Sequence, residues 1–139
     1  MKNKIFTLAI VGLLSLAMAI PTLAASSSYS FTMNYRMVDG AANGQFHSLS
    51  AGTAKISGSH YQYASEPNPT GPNVINYQLW NKTSGNNFGI VKSTPTSDGN
   101  RVYFQGSYPT SVGGGTNYYL QIWRVDDGRD IKGSGSVYN

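Results

Sequence analysis

The sequence predicts an all-β fold: one sandwich of about seven to eight antiparallel strands over residues 25–139, behind a leader at 1–24. Three observations carry this. From Tyr29 to Met37 the chain alternates without a break, apolar at 29, 31, 33, 35 and 37 and polar between. A strand sends successive side chains to opposite faces, so this period gives one dry and one wet face. After the leader, no stretch holds helical periodicity over ten residues. Short segments rich in β-formers recur at regular spacing, punctuated by Gly, Pro, Asn and Asp, as in a sandwich or small barrel. Half-buried strands and a Pro-rich loop suited to a Greek-key crossover favour the sandwich.

The leader reads as a secretory signal peptide. Lys2 and Lys4 precede an apolar stretch from Ile5 to Ile20, broken only by Thr7, Gly12 and Ser15. Pro21 then breaks any helix, and Thr22-Leu23-Ala24 supplies small residues for cleavage before Ala25, with Ala17-Met18-Ala19 as a second site. The apolar run is short for a span of about 20 residues, and the small-residue site argues against a retained anchor. No later segment is apolar enough to cross a bilayer. The expected location is therefore extracellular or cell-surface. Losing Lys2 and Lys4 leaves eight basic against six acidic residues, a net of +2 rather than the +4 of the whole chain. The basic residues lie scattered from Arg36 to Lys132, so nucleic acid is not an expected partner. With no cysteine, the fold must rest on its core, and thiolate metal sites and thiol catalysis are excluded. An exported, cysteine-free chain with a short Lys-rich leader points to a bacterial source.

Along the chain, the first strand runs into the turn Val38-Asp39-Gly40. Gln45 to Leu49 reads as a second strand. Thr53 to Ser57 puts Ala54 and Ile56 on one face, Gly58 marks a bulge or tight turn, and His60 to Ala64 alternates again. Pro67, Pro69 and Pro72 cannot join a ladder, so Glu66 to Asn73 is a loop and the best crossover between sheets. Val74 to Asn81 is a strong strand, with Ile75, Tyr77 and Leu79 on one face and Asn76, Gln78 and Trp80 on the other. With Phe88 to Lys92 it makes a hairpin. Arg101 to Tyr108 is rich in β-formers. Pro109 to Thr116, with three consecutive glycines, reads as a mobile loop. Asn117 to Val125 is the third clear strand: Tyr118, Leu120 and Ile122 face one way, Tyr119, Gln121, Trp123 and Val125 the other. Ile131 to Tyr138 is the last.

Little here looks catalytic. Asp39, Asp98 and Asp127 each precede a glycine, the ordinary chemistry of a turn. Glu66 is the sole glutamate and has no spaced carboxylate partner. The cluster Asp126-Asp127-Gly128-Arg129-Asp130 could offer oxygens to calcium, but Arg129 sits inside it and the ligand alternation is missing, so it reads as a turn and no metal is expected. His47 and His60 are the only imidazoles, and no strained Gly-x-Ser-x-Gly elbow accompanies the serines near them. The glycine run lacks a following Lys-Ser or Lys-Thr, and no cofactor is expected.

Aromatics are the compositional excess. Trp80 beside Gln78, and Tyr119 and Trp123 flanking Gln121, lie opposite the apolar stripes of their strands. Exposed, they could stack on sugar rings while the amides bond hydroxyls, or anchor a protein partner. Buried, they would be cross-strand core pairs. In style the chain resembles small bacterial bacteriocins and cell-surface modules, with no defined motif to carry residues across. The expected function is a non-enzymatic extracellular module binding a cell-envelope polysaccharide or a protein. The alternatives are a secreted antibacterial effector and a small extracellular hydrolase using His47 or Glu66.

Overall fold

Residues 25–139 are described by a computed structural model. The leader and both of its cleavage sites concern residues 1–24 and lie outside the described residues. Nine strands follow: β1 (Ser26–Met33), β2 (Met37–Asp39), β3 (His47–Gly52), β4 (Lys55–Ser65), β5 (Ile75–Asn81), β6 (Asn87–Ser93), β7 (Val102–Ser107), β8 (Val112–Trp123) and β9 (Arg129–Tyr138). No helix occurs among the described residues. The strands form two antiparallel sheets. The first has the order β1-β9-β4-β7, and the second β2-β8-β5-β6, with β3 beside β2 on the same edge of the long β8. The expected sandwich is present.

The core lies where period two puts it. Ile75, Tyr77 and Leu79 of β5, with Tyr118, Leu120 and Ile122 of β8, face Tyr29, Phe31 and Met33 of β1 and Ile56 of β4 across the layer. The Tyr77 ring sits at the centre, 4.4 Å from that of Phe104 and 6.0 Å edge-on to that of Phe31. Such tilted contacts between large rings add to plain burial. The Pro-rich loop carries the chain from β4 in the first sheet to β5 in the second, as expected. β5 and β6 form the expected hairpin.

Four expectations are corrected. The first strand stops at Met33, because the chain leaves the first sheet through Asn34 to Arg36 and enters the second as β2. Tyr35 and Met37, apolar members of the opening alternation, are therefore 69% and 55% exposed. Gly58 does not interrupt its segment: β4 runs straight through it, opposite Gly135 and Phe104. A β-carbon there would collide with the Tyr29 hydroxyl, so glycine serves close approach rather than a bend. The three glycines 113–115 lie inside β8 and pair with β3; φ values of +84° at Gly114 and +131° at Gly115 let that half of the strand bulge. Finally the described residues hold nine strands rather than about seven to eight, since the first predicted strand divides between the sheets.

Candidate functional site

Register brings the five sequence-selected residues onto one surface. β5 pairs with β8 so that Asn76 opposes Trp123, Gln78 opposes Gln121 and Trp80 opposes Tyr119. All six point away from the core, because their neighbours at 75, 77, 79, 118, 120 and 122 point into it. Trp80, Gln78, Tyr119, Gln121 and Trp123 are each half-buried, neither sealed in the core nor free in solvent. Trp123 and Tyr119 stand four residues apart on β8, about 13 Å along the strand.

Part of this polar surface is already bonded within the sheet. Trp123 Nε1 donates to Gln78 Oε1 at 3.3 Å, and Asn76 Nδ2 donates to the Trp123 carbonyl at 3.2 Å. Trp80 Nε1 is buried with no partner. What both indoles turn outward is therefore ring surface, while Gln121 and the amide nitrogen of Gln78 remain for polar contact.

The neighbouring strands complete the surface with residues that the sequence reading did not select. β2 sets Met37 beside Trp123 and Asp39 beside Gln121, and β6 sets Ile90 beside Gln78. Phe46, just before β3, meets the Tyr119 ring edge-on at 6.4 Å, with Lys82 over its own ring. Burial, and then the nearby Asp39 carboxylate, push the Tyr119 hydroxyl above its usual pKa. No local signal marks these neighbours, since each joins the patch only through the pairing of distant segments.

Both imidazoles are held by hydroxyl groups of the protein. His60 Nδ1 lies 2.7 Å from the Tyr77 hydroxyl and its Nε2 3.3 Å from Ser93 Oγ; His47 Nδ1 lies 3.0 Å from Ser27 Oγ. Both rings are buried, and neither meets a carboxylate among the described residues. Glu66 is exposed in the Pro-rich loop. Asp39 and Asp98 each accept backbone N–H bonds two residues ahead, as turn aspartates do.

Asp127 does more than a turn requires. It forms a fully buried ion pair with Arg124 and accepts from the backbone N–H of Asn73 at 2.7 Å and of Arg129 at 3.1 Å. Its oxygens are thus occupied by protein donors. Among the described residues no three His, Asp or Glu side chains gather as a metal site.

No family model matches the sequence, and no curated protein matches it. Solved structures similar to the chain include the infectious bursal disease virus VP2 subviral particle, at 14% identity and TM-score 0.49, covering 84% of this chain and 33% of that one. The chain thus spans about a third of the VP2 chain's length. Another is the C-terminal family 22 carbohydrate-binding module of Clostridium thermocellum Xyn10B, at 8% identity and TM-score 0.40, covering 87% and 88% of the two chains. A third is the Drosophila NLP core, at 8% identity and TM-score 0.37, covering 80% and 94%.

Proposed function

We propose that the protein is an exported, non-enzymatic binding module whose second sheet takes a chain of sugar rings from a cell-envelope polysaccharide on its outer face. The observation that supports this most is the run of three cross-strand rows, Asn76–Trp123, Gln78–Gln121 and Trp80–Tyr119, on one surface, with Asn76 buried and the other five residues half-buried. Aromatic rings at both ends, with amides between them, suit a flexible polyhydroxyl chain. Apolar sugar faces stack on the rings, and the amides bond the hydroxyls. Because the indoles are already held by the sheet, little side-chain entropy is lost on binding.

The test is titration of the purified protein with fractionated cell-wall polysaccharide, followed by tryptophan fluorescence. Trp123→Ala should cost about 2 kcal/mol, roughly thirtyfold in affinity, with the circular dichroism spectrum and Tm near wild type. If no glycan fraction saturates the wild type, or the variant binds as tightly, the assignment fails.

A protein partner is the second reading, and one observation favours it. At the Trp123 end of the patch Tyr35, Met37 and Val125 are 69%, 55% and 69% exposed. They adjoin one another because Arg124 N–H bonds the Arg36 carbonyl at 2.8 Å. An apolar rim of this kind suits a protein surface better than a sugar. Loss of capture from secreted or surface protein on Met37→Ser, with glycan binding absent, would select it.

A further inference from the structure

The outer face of the first sheet has a different chemistry. Its register sets Thr32, Lys132 and Tyr61 in one row, with Arg101 just before β7 completing it. The adjacent row is Ser30, Ser134, Ser59 and Tyr103. Over these rows lies an open groove of about 450 Å³, walled at the β1 edge by Asn43 and Gln45 of the β2–β3 connection. Gln45 fixes that wall by donating to the Ser30 carbonyl at 3.0 Å.

Two cations line the groove without a counter-ion. The Arg101 guanidinium lies 4.5 Å from the centre of the Tyr61 ring and donates to Ser59 Oγ at 2.9 Å. Lys132 Nζ lies 4.4 Å from the centre of the Tyr63 ring. Neither pairs with a carboxylate: the sole ion pair among the described residues is Arg124 with Asp127. Asp130, the next outward residue of β9, does not come within ion-pair distance of Lys132. Aromatic faces, rather than acids, therefore brace both charges, and no carboxylate neutralises either of them toward an incoming anion. The other polar groups of the groove are hydroxyls and amides, which suit a ligand that is itself rich in hydroxyls.

We propose that this groove is a second binding site, for a phosphate-bearing polyol or sugar chain. The phosphate sits between Lys132 and Arg101, and Ser30, Thr32, Asn43 and Gln45 bond the hydroxyls beside it. This site is on the opposite sheet from the aromatic face and does not depend on the function proposed for that face.

The experiment is an NMR titration of the isotopically labelled protein with glycerol 3-phosphate, with glycerol and inorganic phosphate run separately. Glycerol 3-phosphate should shift the amides of Thr32, Tyr61 and Lys132 saturably, and more tightly than inorganic phosphate, while glycerol alone should not. Raising the salt from 50 to 500 mM should weaken binding severalfold, because the groove is open to screening ions. Lys132→Gln and Arg101→Gln should each weaken it at least fivefold, with the rest of the spectrum unchanged as proof of fold. Trp123→Ala should leave it intact. No saturable shift, binding as tight as wild type by either Gln variant, or inorganic phosphate binding as tightly as glycerol 3-phosphate would each overturn the proposal.

Discussion

His60 shows how a residue type usually associated with chemistry can be absorbed by packing. Its ring is fully buried, stacked 5.5 Å from Phe104, with one nitrogen on the Tyr77 hydroxyl and the other on Ser93. Two hydroxyl partners can satisfy a neutral imidazole, one accepting from its N–H and the other donating to its bare nitrogen. Burial pushes its pKa down to about 4, only partly offset by the backbone hydrogen bond at Thr94. In the unfolded chain the value returns to about 6.5. The unfolded state therefore binds the proton first as pH falls, and stability present above pH 6.5 drains away down to pH 4. The loss between pH 7 and pH 4 amounts to about 3 kcal/mol. Burial lowers His47 as well, which adds a loss of the same sign. Urea unfolding at pH 7, 5.5 and 4 should show this slope, and His60→Gln, which keeps a polar partner for Tyr77 but cannot titrate, should flatten it. An unchanged slope in the variant would mean that the acid sensitivity lies elsewhere.

Between elements, the β8–β9 turn is held by a buried network rather than by turn chemistry alone. Arg124 pairs with Asp127 and also donates to the Arg129 carbonyl. Arg129 in turn reaches the Thr70 carbonyl at 2.8 Å and Gln62 Oε1 at 2.5 Å. The network thus fastens the second sheet's β8 to the first sheet's β9 and β4, and pins the Pro-rich crossover over both. Asp127→Ala strands a buried guanidinium and should cost about 3–5 kcal/mol in urea unfolding. Replacing both partners, as in Asp127→Ala with Arg124→Met, should recover part of that loss, since no charge is then left unpaired. A single-variant loss below about 1 kcal/mol would show that water reaches Arg124. The sequence carried the signal only as an arginine set inside an acidic cluster. Elsewhere legibility follows the same physics. β5 and the second half of β8 are readable because each holds its inward residues at strict alternate positions. Tyr35 and Met37 are misread because alternation reports extended backbone, not which sheet the backbone has joined. The five aromatic and amide residues of the second sheet are legible as one face of two strands. Met37, Phe46 and Ile90 are not, because register between distant segments places them. The groove on the first sheet is hidden for the same reason: its Ser, Tyr, Lys and Arg come from four separate segments, each resembling an ordinary wet strand face.

Over the whole molecule the chain changes sheet repeatedly, and its first strand pairs with its last: Ser26 lies opposite Tyr138 and Met33 opposite Ile131. β9 is also the partner of β4, so the first sheet has no centre until the C-terminal segment has docked. Without cysteine, no covalent link holds one sheet while the other opens. The shared core binds them instead, because Tyr77 of the second sheet packs on Phe31 and Phe104 of the first. Neither layer can expose its inner face without exposing the other's, so the sandwich should unfold as one unit. Both tryptophans lie on the second sheet, whereas far-ultraviolet circular dichroism reports both sheets. The two signals should therefore trace the same urea midpoint, in the presence or absence of reductant. Because most pairings join distant parts of the chain, refolding should take milliseconds to seconds rather than microseconds. A tryptophan transition displaced from the dichroism transition would mean that the sheets separate before they melt, and that the aromatic core does not couple them.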